Sequence, residues 1–248
     1  MSKNEELMYR ILGKLFENDE APIVCKGALI TKLVLAQENF SDVIRETKDI
    51  DLNWTGEPPK PEELEALIGN AVKKADPTFN IKYDREYIPG KTTGGITVTN
   101  AIGKQILTMD IDIKGVTGQK IYNFEADRIR GVLPTEIFAD KIAAISGDKV
   151  FRRAKDIVDV FALSSCISVT TDEIYNTSAQ TGNEIKAFDG FLNRKDDLQH
   201  AYDKLRGVKG KPPFETVYER LRAFLAPFIE HDRTARVWKA ETARWEDI

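Results

Sequence analysis

Two pairs of aspartates, each with one residue between them inside an apolar run, carry the strongest chemical signal in the chain: Asp49 and Asp51 in KDIDL, and Asp110 and Asp112 in TMDIDI. In an extended strand alternate side chains share a face. Each pair therefore puts two carboxylates on one side and Ile50 and Leu52, or Met109, Ile111 and Ile113, on the other. Neighbouring anions destabilise each other unless a cation compensates them. Mg²⁺ held by one or two carboxylates plus substrate phosphates is the usual solution, which points to phosphoryl chemistry on a nucleotide. In two-metal nucleotidyl transfer two carboxylates bind both ions, and a third from a neighbouring strand helps activate the acceptor hydroxyl. Asp49 and Asp51 suit the first role; Asp110 suits the third, with Asp112 as the alternative. The competing reading is that both strands simply turn a polar face to water.

Just upstream, Lys26, Gly27 and Ala28 form a small-residue turn at the start of a helix. Its backbone N–H groups, reinforced by the helix dipole, would suit a triphosphate, although a glycine before a helix is most often only a turn.

These groups need elements to hold them. Asn4 to Asn18 places Leu7, Met8, Ile11, Leu12, Leu15 and Phe16 at helical spacing, which makes an amphipathic scaffold helix. A helix from Gly27, a polar loop and the Asp49–Asn53 strand follow. PEELEALIGNAVKKADP predicts a helix with proline in its first turn, acids early and lysines late. From Phe79 the texture turns to β: NIKYDREYI, GITVTNAI, a Gly103-Lys104 turn, then KQILTMDIDI, a meander beside the Asp49 strand. After Gly118 the pattern predicts helices to the C-terminus, including Pro134 to Ile145, Arg152 to Cys166, and a stripe of Phe214, Val217, Tyr218, Leu221, Phe224, Leu225 and Phe228. Mixed elements in the first half and helices in the second predict an α+β domain over residues 1–133 and a helical domain over 134–248. The glycines and charged run between Val116 and Pro134 predict an exposed connection.

Composition narrows the classes. A 42% hydrophobic content over 248 residues supports a full core, and a net charge of −4 argues against a protein that coats nucleic acid wholesale. Two cysteines cannot build a disulfide framework or a zinc site, and buried free thiols suit a reducing cytoplasm. No apolar run is long enough to span a bilayer, so no membrane role is expected. His200 and His231 stand in polar helical surroundings and offer little for acid–base or metal chemistry. Trp54, Trp238 and Trp245 are more often packing than base-stacking platforms.

VCKGALITKL, RETKDIDL, LTMDID and IFADKIAAISGDKVFRRAKDIVDVFAL, in that order from Ile23 to Leu163, resemble the AbiEii-type nucleotidyltransferase toxins of bacterial abortive-infection and toxin-antitoxin systems. The last segment, with Lys141, Arg153, Lys155, Asp156 and Asp159, is the most specific. Gly27 is followed by Ala28, where many members of the wider superfamily have serine or glycine, so no hydroxyl is available there and only backbone contacts remain. After Cys166 no motif can be quoted.

The resemblance implies a small mixed nucleotidyltransferase sheet with flanking helices, followed by a helical domain contributing to the nucleotide cleft. It implies an NTP and Mg²⁺, transfer of a nucleoside monophosphate to a tRNA or protein acceptor, and a cognate antitoxin. Lys141 would meet the β or γ phosphate, Arg153 and Lys155 would add positive field, and Asp156 and Asp159 would orient Lys141 or join it in an ion-pair network. A surface pair of Arg152 with Asp156 is also expected. The alternative is a catalytically silent module that uses the same fold to hold a nucleotide or a protein.

Overall fold

The computed structural model describes residues 2–18, 20–85 and 93–248. In chain order the first elements are α1 (Lys3–Phe16), β1 (Ile23–Lys26), α2 (Gly27–Gln37), β2 (Ile44–Arg45), β3 (Asp49–Trp54), α3 (Pro61–Ala75), β4 (Asn80–Arg85), β5 (Thr93–Thr99), β6 (Gln105–Ile113), β7 (Gln119–Phe124) and β8 (Asp127–Val132). Then come α4 (Pro134–Ile145), a 3₁₀ turn at Val150–Arg152, α5 (Ala154–Cys166), β9 (Val169–Thr170), α6 (Thr171–Thr181), α7 (Asp189–Asn193), α8 (Lys195–Lys204), β10 (Val208–Lys209), α9 (Phe214–Ile229), β11 (Arg236–Lys239) and β12 (Arg244–Asp247). Two compact units result: Met1–Leu33 with Glu46–Leu133, and Val34–Arg45 with Pro134–Ile248. The second unit thus takes in a short piece of the N-terminal half as well.

The first unit is built on a seven-stranded mixed sheet in the order β4-β5-β6-β3-β1-β8-β7. β3 runs antiparallel to β1 and parallel to β6, while β1 and β8 are parallel. The acid-and-apolar alternation is realised. Ile50, Leu52, Leu107, Met109 and Ile111 are buried, and the aspartates between them are half-buried. Helix α1 starts at a capping box in which the Ser2 hydroxyl accepts from the Glu5 N–H and the Glu5 carboxylate accepts from the Ser2 N–H. It buries Met8, Tyr9, Ile11, Leu12, Leu15 and Phe16. Tyr9 stacks on Phe124 at 4.1 Å between ring centroids and donates its hydroxyl to the Leu29 carbonyl at 3.0 Å.

One expectation fails here. Gln119–Phe124 and Asp127–Val132 form a hairpin joined to β1, so an exposed connection between Val116 and Pro134 is not what the chain builds. Tyr122 and Ile129 are buried on that hairpin, and its short alternation was masked by the charges between them. The expected strand end from Glu86 to Ile88 lies outside the described residues.

The second unit is helical with two small sheets, β10-β2 and β12-β11-β9. The expected stripe on α9 is buried from Phe214 to Phe228. Phe224 lies 5.1 Å from Trp238 and 5.6 Å from Trp245, centroid to centroid. Each fully buried large apolar side chain of this kind is worth about 1.5–3 kcal/mol, so the cluster supplies much of this unit's driving force. Trp238 and Trp245 belong to a β-hairpin and not to the expected terminal helices, and their indole N–H groups donate to the Ser164 and Phe224 carbonyls. Both cysteines are free thiols; burial pushes their ionisation up, to about 12 for Cys166.

Candidate active site

Sheet register decides which acids meet. Asp51 stands opposite Asp110, Asp49 opposite Thr108, and Asn53 opposite Asp112 across the parallel β3–β6 pair. On the other side of β3, Lys26 is in register with Asp51. One face of the sheet therefore carries Lys26, Asp51 and Asp110 in one row, flanked by Asp49 and Thr108 in the next. The Thr108 hydroxyl donates to Asp49 at 2.7 Å, which fixes that carboxylate. Lys26 is ion-paired with Asp112. Among the described residues no three His, Cys, Asp or Glu side chains converge as a ready-made metal cage. Two carboxylates facing each other across adjacent strands fit Mg²⁺ nonetheless, because that ion keeps waters and substrate phosphates as its remaining ligands.

The turn before α2 is shaped around this pair. Gly27 has φ +68°, a left-handed conformation that other residues adopt only at a cost. A Cβ placed there would overlap Asp51 Oδ2, so the Asp51 carboxylate rests against the glycine backbone. Gly27→Ala is expected to cost about 1–2 kcal/mol for the left-handed backbone alone. It should also displace the Asp51 carboxylate, lowering any activity that depends on it by roughly a hundredfold. Urea unfolding and transfer rates measured on the one variant check both.

The approach to β3 is tied down as well. Glu5, 1% exposed, accepts from the Thr47 N–H at 3.1 Å and is ion-paired with Lys32. Burial alone would raise its pKa, but Lys32 and the N–H groups of Ser2 and Thr47 hold it below the usual carboxylate value. An ionised carboxylate so placed anchors the loop two residues ahead of Asp49.

In the second unit Lys141 and Asp159 are 7% and 5% exposed, so this cluster is not a solvated helix face. Lys141 donates to Asp159 at 2.7 Å and to Asp156 at 3.2 Å. Arg45 reaches Asp159 through Nε at 3.1 Å and Nη2 at 2.9 Å. The ammonium that the sequence aims at a phosphate is thus already bonded to two carboxylates. Arg153 and Lys155 are exposed. Arg153, rather than Arg152, approaches Asp156, at 3.8 Å; α5 begins at Ala154, so Arg152 lies in the preceding 3₁₀ turn and lacks the helical offset that the expected pair required.

The family model described as "Nucleotidyl transferase AbiEii toxin, Type IV TA system" matches residues 39–244. The chain belongs to this family. Its AbiEii match extends well past Cys166, where no motif could be quoted, and begins after the Lys26-Gly27-Ala28 turn. Membership makes it a nucleotidyltransferase of the toxin class, with a nucleotide as substrate and an antitoxin as partner. The crystal structure of JHP933 from Helicobacter pylori shares its fold, with a TM-score of 0.54 and 18% identity over 93% of this chain and 94% of that one. The crystal structure of an antigenic nucleotidyltransferase-like protein from Paracoccidioides brasiliensis aligns with a TM-score of 0.45 and 13% identity over 82% and 93%. No curated protein matches the chain.

Several residues that support these two clusters, each within its own unit, went unnoticed in the sequence. Thr108 was within reach, since it lies two residues before Asp110 on the same strand face. Glu5, Lys32 and Arg45 gave no local signal, because their partners lie 27 to 114 residues away. Trp54 is 7% exposed and donates to the Glu57 carbonyl at 2.9 Å, which is packing and not a stacking platform.

Proposed function

We propose that this enzyme moves a nucleoside monophosphate from an NTP to a hydroxyl of a tRNA or protein acceptor, with Mg²⁺ held by Asp49, Asp51 and Asp110. The observation that carries the reading is the row formed by Asp51 and Asp110, with Asp49 beside it and the Gly27 turn against Asp51. When bound, Mg²⁺ would neutralise phosphate charge and lower the cost of the developing negative charge in transfer. Asp51 and Asp110 would act on the substrate phosphates only through that ion, since bare carboxylates repel them. The Gly27-Ala28 backbone at the start of α2 faces the β and γ phosphates. The acceptor oxygen bonds to the α-phosphorus as the bridging bond to the β-phosphate breaks; the hydroxyl proton passes to Asp110 Oδ and pyrophosphate leaves.

In the second unit, Lys141, Asp156 and Asp159 act as positioning residues, since the Lys141 ammonium has two carboxylate partners. Arg153 and Lys155 remain exposed to attract phosphate. Among the described residues no helix is long and apolar enough to cross a membrane, which is compatible with work in the cytoplasm, on an acceptor dissolved there.

The test is label transfer from each α-labelled NTP to total tRNA and to protein, with Mg²⁺ and with EDTA. Labelled acceptor is expected only with Mg²⁺, and Asp49→Asn and Asp110→Asn should each remove it while leaving the circular dichroism spectrum unchanged. No transfer with any NTP would favour a silent binding module; near-normal transfer by either variant would sink the carboxylate assignment.

A further inference from the structure

We infer that a surface of the second unit, formed by the 3₁₀ turn and the start of α8, binds a single-stranded segment of RNA. The inference deepens the acceptor half of the proposed function, and its test runs without NTP or metal, so either reading can fail without the other.

KVFRRAK, from Lys149 to Lys155, puts four cations into seven residues with no acid among them, in a chain whose net charge is −4. Lys149, Arg152 and Lys155 are exposed, and none of them meets a carboxylate among the described residues. The Arg152 N–H donates to the Lys149 carbonyl at 2.9 Å and closes the turn. Positions i and i+3 eclipse in 3₁₀ geometry, so these two side chains leave from one edge of it. Between them Phe151 is half-buried and flanked by guanidinium groups: Arg194 lies 4.9 Å from its ring centroid and Arg152 5.9 Å.

Arg194 is held in place. Asp197 accepts from its Nε at 2.8 Å and is paired with its Nη2 at 2.6 Å, while Phe151 lies under the guanidinium. Gly190 seats this segment against the turn, because it faces the Gly147 and Asp148 carbonyls with no room for a Cβ. The Arg194 side chain is nonetheless 47% exposed, so a fixed plane turns its outer face to solvent. An unpaired base stacks on such a plane, and the free cations beside it suit the phosphates of the same strand. An acidic protein segment would use the charges but gain nothing from the plane. Duplex RNA keeps its bases stacked on one another and cannot reach it.

Fluorescence anisotropy of a labelled single-stranded RNA of about twelve nucleotides, titrated with the full chain in EDTA over a range of salt, tests this. Binding is expected, with log K falling against log salt at a slope of about −2 as Lys149, Arg152 and Lys155 meet three phosphates. Lys149→Gln/Arg152→Gln should flatten that slope to about −0.7. Arg194→Lys keeps a charge beside Asp197 but loses the plane, so affinity should fall about tenfold with the slope unchanged. No binding by the wild type, or wild-type affinity in Arg194→Lys, overturns the inference. Equal affinity for the same strand annealed to its complement does so too, as does equal displacement by polyglutamate, which would make this a surface for an acidic protein. Should Arg194→Lys fold poorly, the slope of Lys149→Gln/Arg152→Gln decides, and an unchanged slope overturns the inference. Asp49→Asn separates the two readings: it should bind the RNA as the wild type does, and transfer to protein without RNA binding would remove this surface while leaving the transfer site intact.

Discussion

Asp51→Asn is expected to reduce nucleotidyl transfer by roughly a thousandfold or more, the several kcal/mol of charge stabilisation that a divalent-cation site supplies to phosphoryl transfer. Asparagine keeps the shape that rests against Gly27 and stands opposite Asp110. It removes only the charge, from a face already rich in anions. The fold should persist, because Ile50 and Leu52 on either side still fill the core. Single-turnover transfer with saturating NTP, alongside urea unfolding, measures the two separately. Gly27→Ala is its complement, because it retains the charge and moves the group. A variant with full transfer and lost metal affinity, or the reverse, would show that Asp51 does not link the two.

Asp159→Asn should destabilise the second unit by about 3–5 kcal/mol, the usual consequence of leaving a buried charge uncompensated. Arg45 and Lys141 are both buried and both bond to this one carboxylate. Without its charge only Asp156 faces Lys141, and the guanidinium fork loses its bidentate partner. Replacing Lys141 and Asp159 together by Met and Leu should cost less than the sum of the single changes, because the loss of their shared contact is then counted once, although Arg45 still loses its carboxylate. Urea unfolding followed by Trp238 and Trp245 fluorescence in a Trp54→Phe background reports this unit.

The network also sets a pH dependence. Burial alone would raise the Asp159 pKa, but Lys141 and Arg45 hold it below the ordinary aspartate value of 3.8. Its stabilising contribution is then complete above that value and is lost as pH falls through the lower folded-state pKa. Lys141 is the mirror case: burial opposes its charge, yet Asp159 and Asp156 raise its pKa above the ordinary lysine value of 10.5. Its contribution is complete below 10.5 and is lost as pH rises through the higher folded-state value. Between the two limits the network adds no slope, and in Asp159→Asn the acid limb should flatten.

Much of the scaffold was legible locally. Period-two alternation around Asp49, Asp51, Asp110 and Asp112 specified two strands with acids on one face, since Ile50, Leu52, Met109 and Ile111 had to be buried. Helical periodicity specified α1, α3 and α9, with proline and acids at the start of α3 marking its first turn. The motif string was enough to suggest the family. Alternation fails for short strands broken by charge, which is why the β7–β8 hairpin and the β11–β12 hairpin with Trp238 and Trp245 were read otherwise.

What alternation cannot supply is register. It fixes the face on which an aspartate lies, but whether Asp110 or Asp112 stands opposite Asp51 depends on how two strands some sixty residues apart slide along each other, and that is settled by the packing of the whole apolar face. The same holds for the charges. Lys26 and Asp112 are 86 residues apart in sequence, and Arg45 and Asp159 are 114 apart. Coulomb attraction acts on distance in space, so the sequence determined which groups could pair, while only the folded sheet and helices decided that Lys26 took Asp112 and that Asp159 was shared by Arg45 and Lys141.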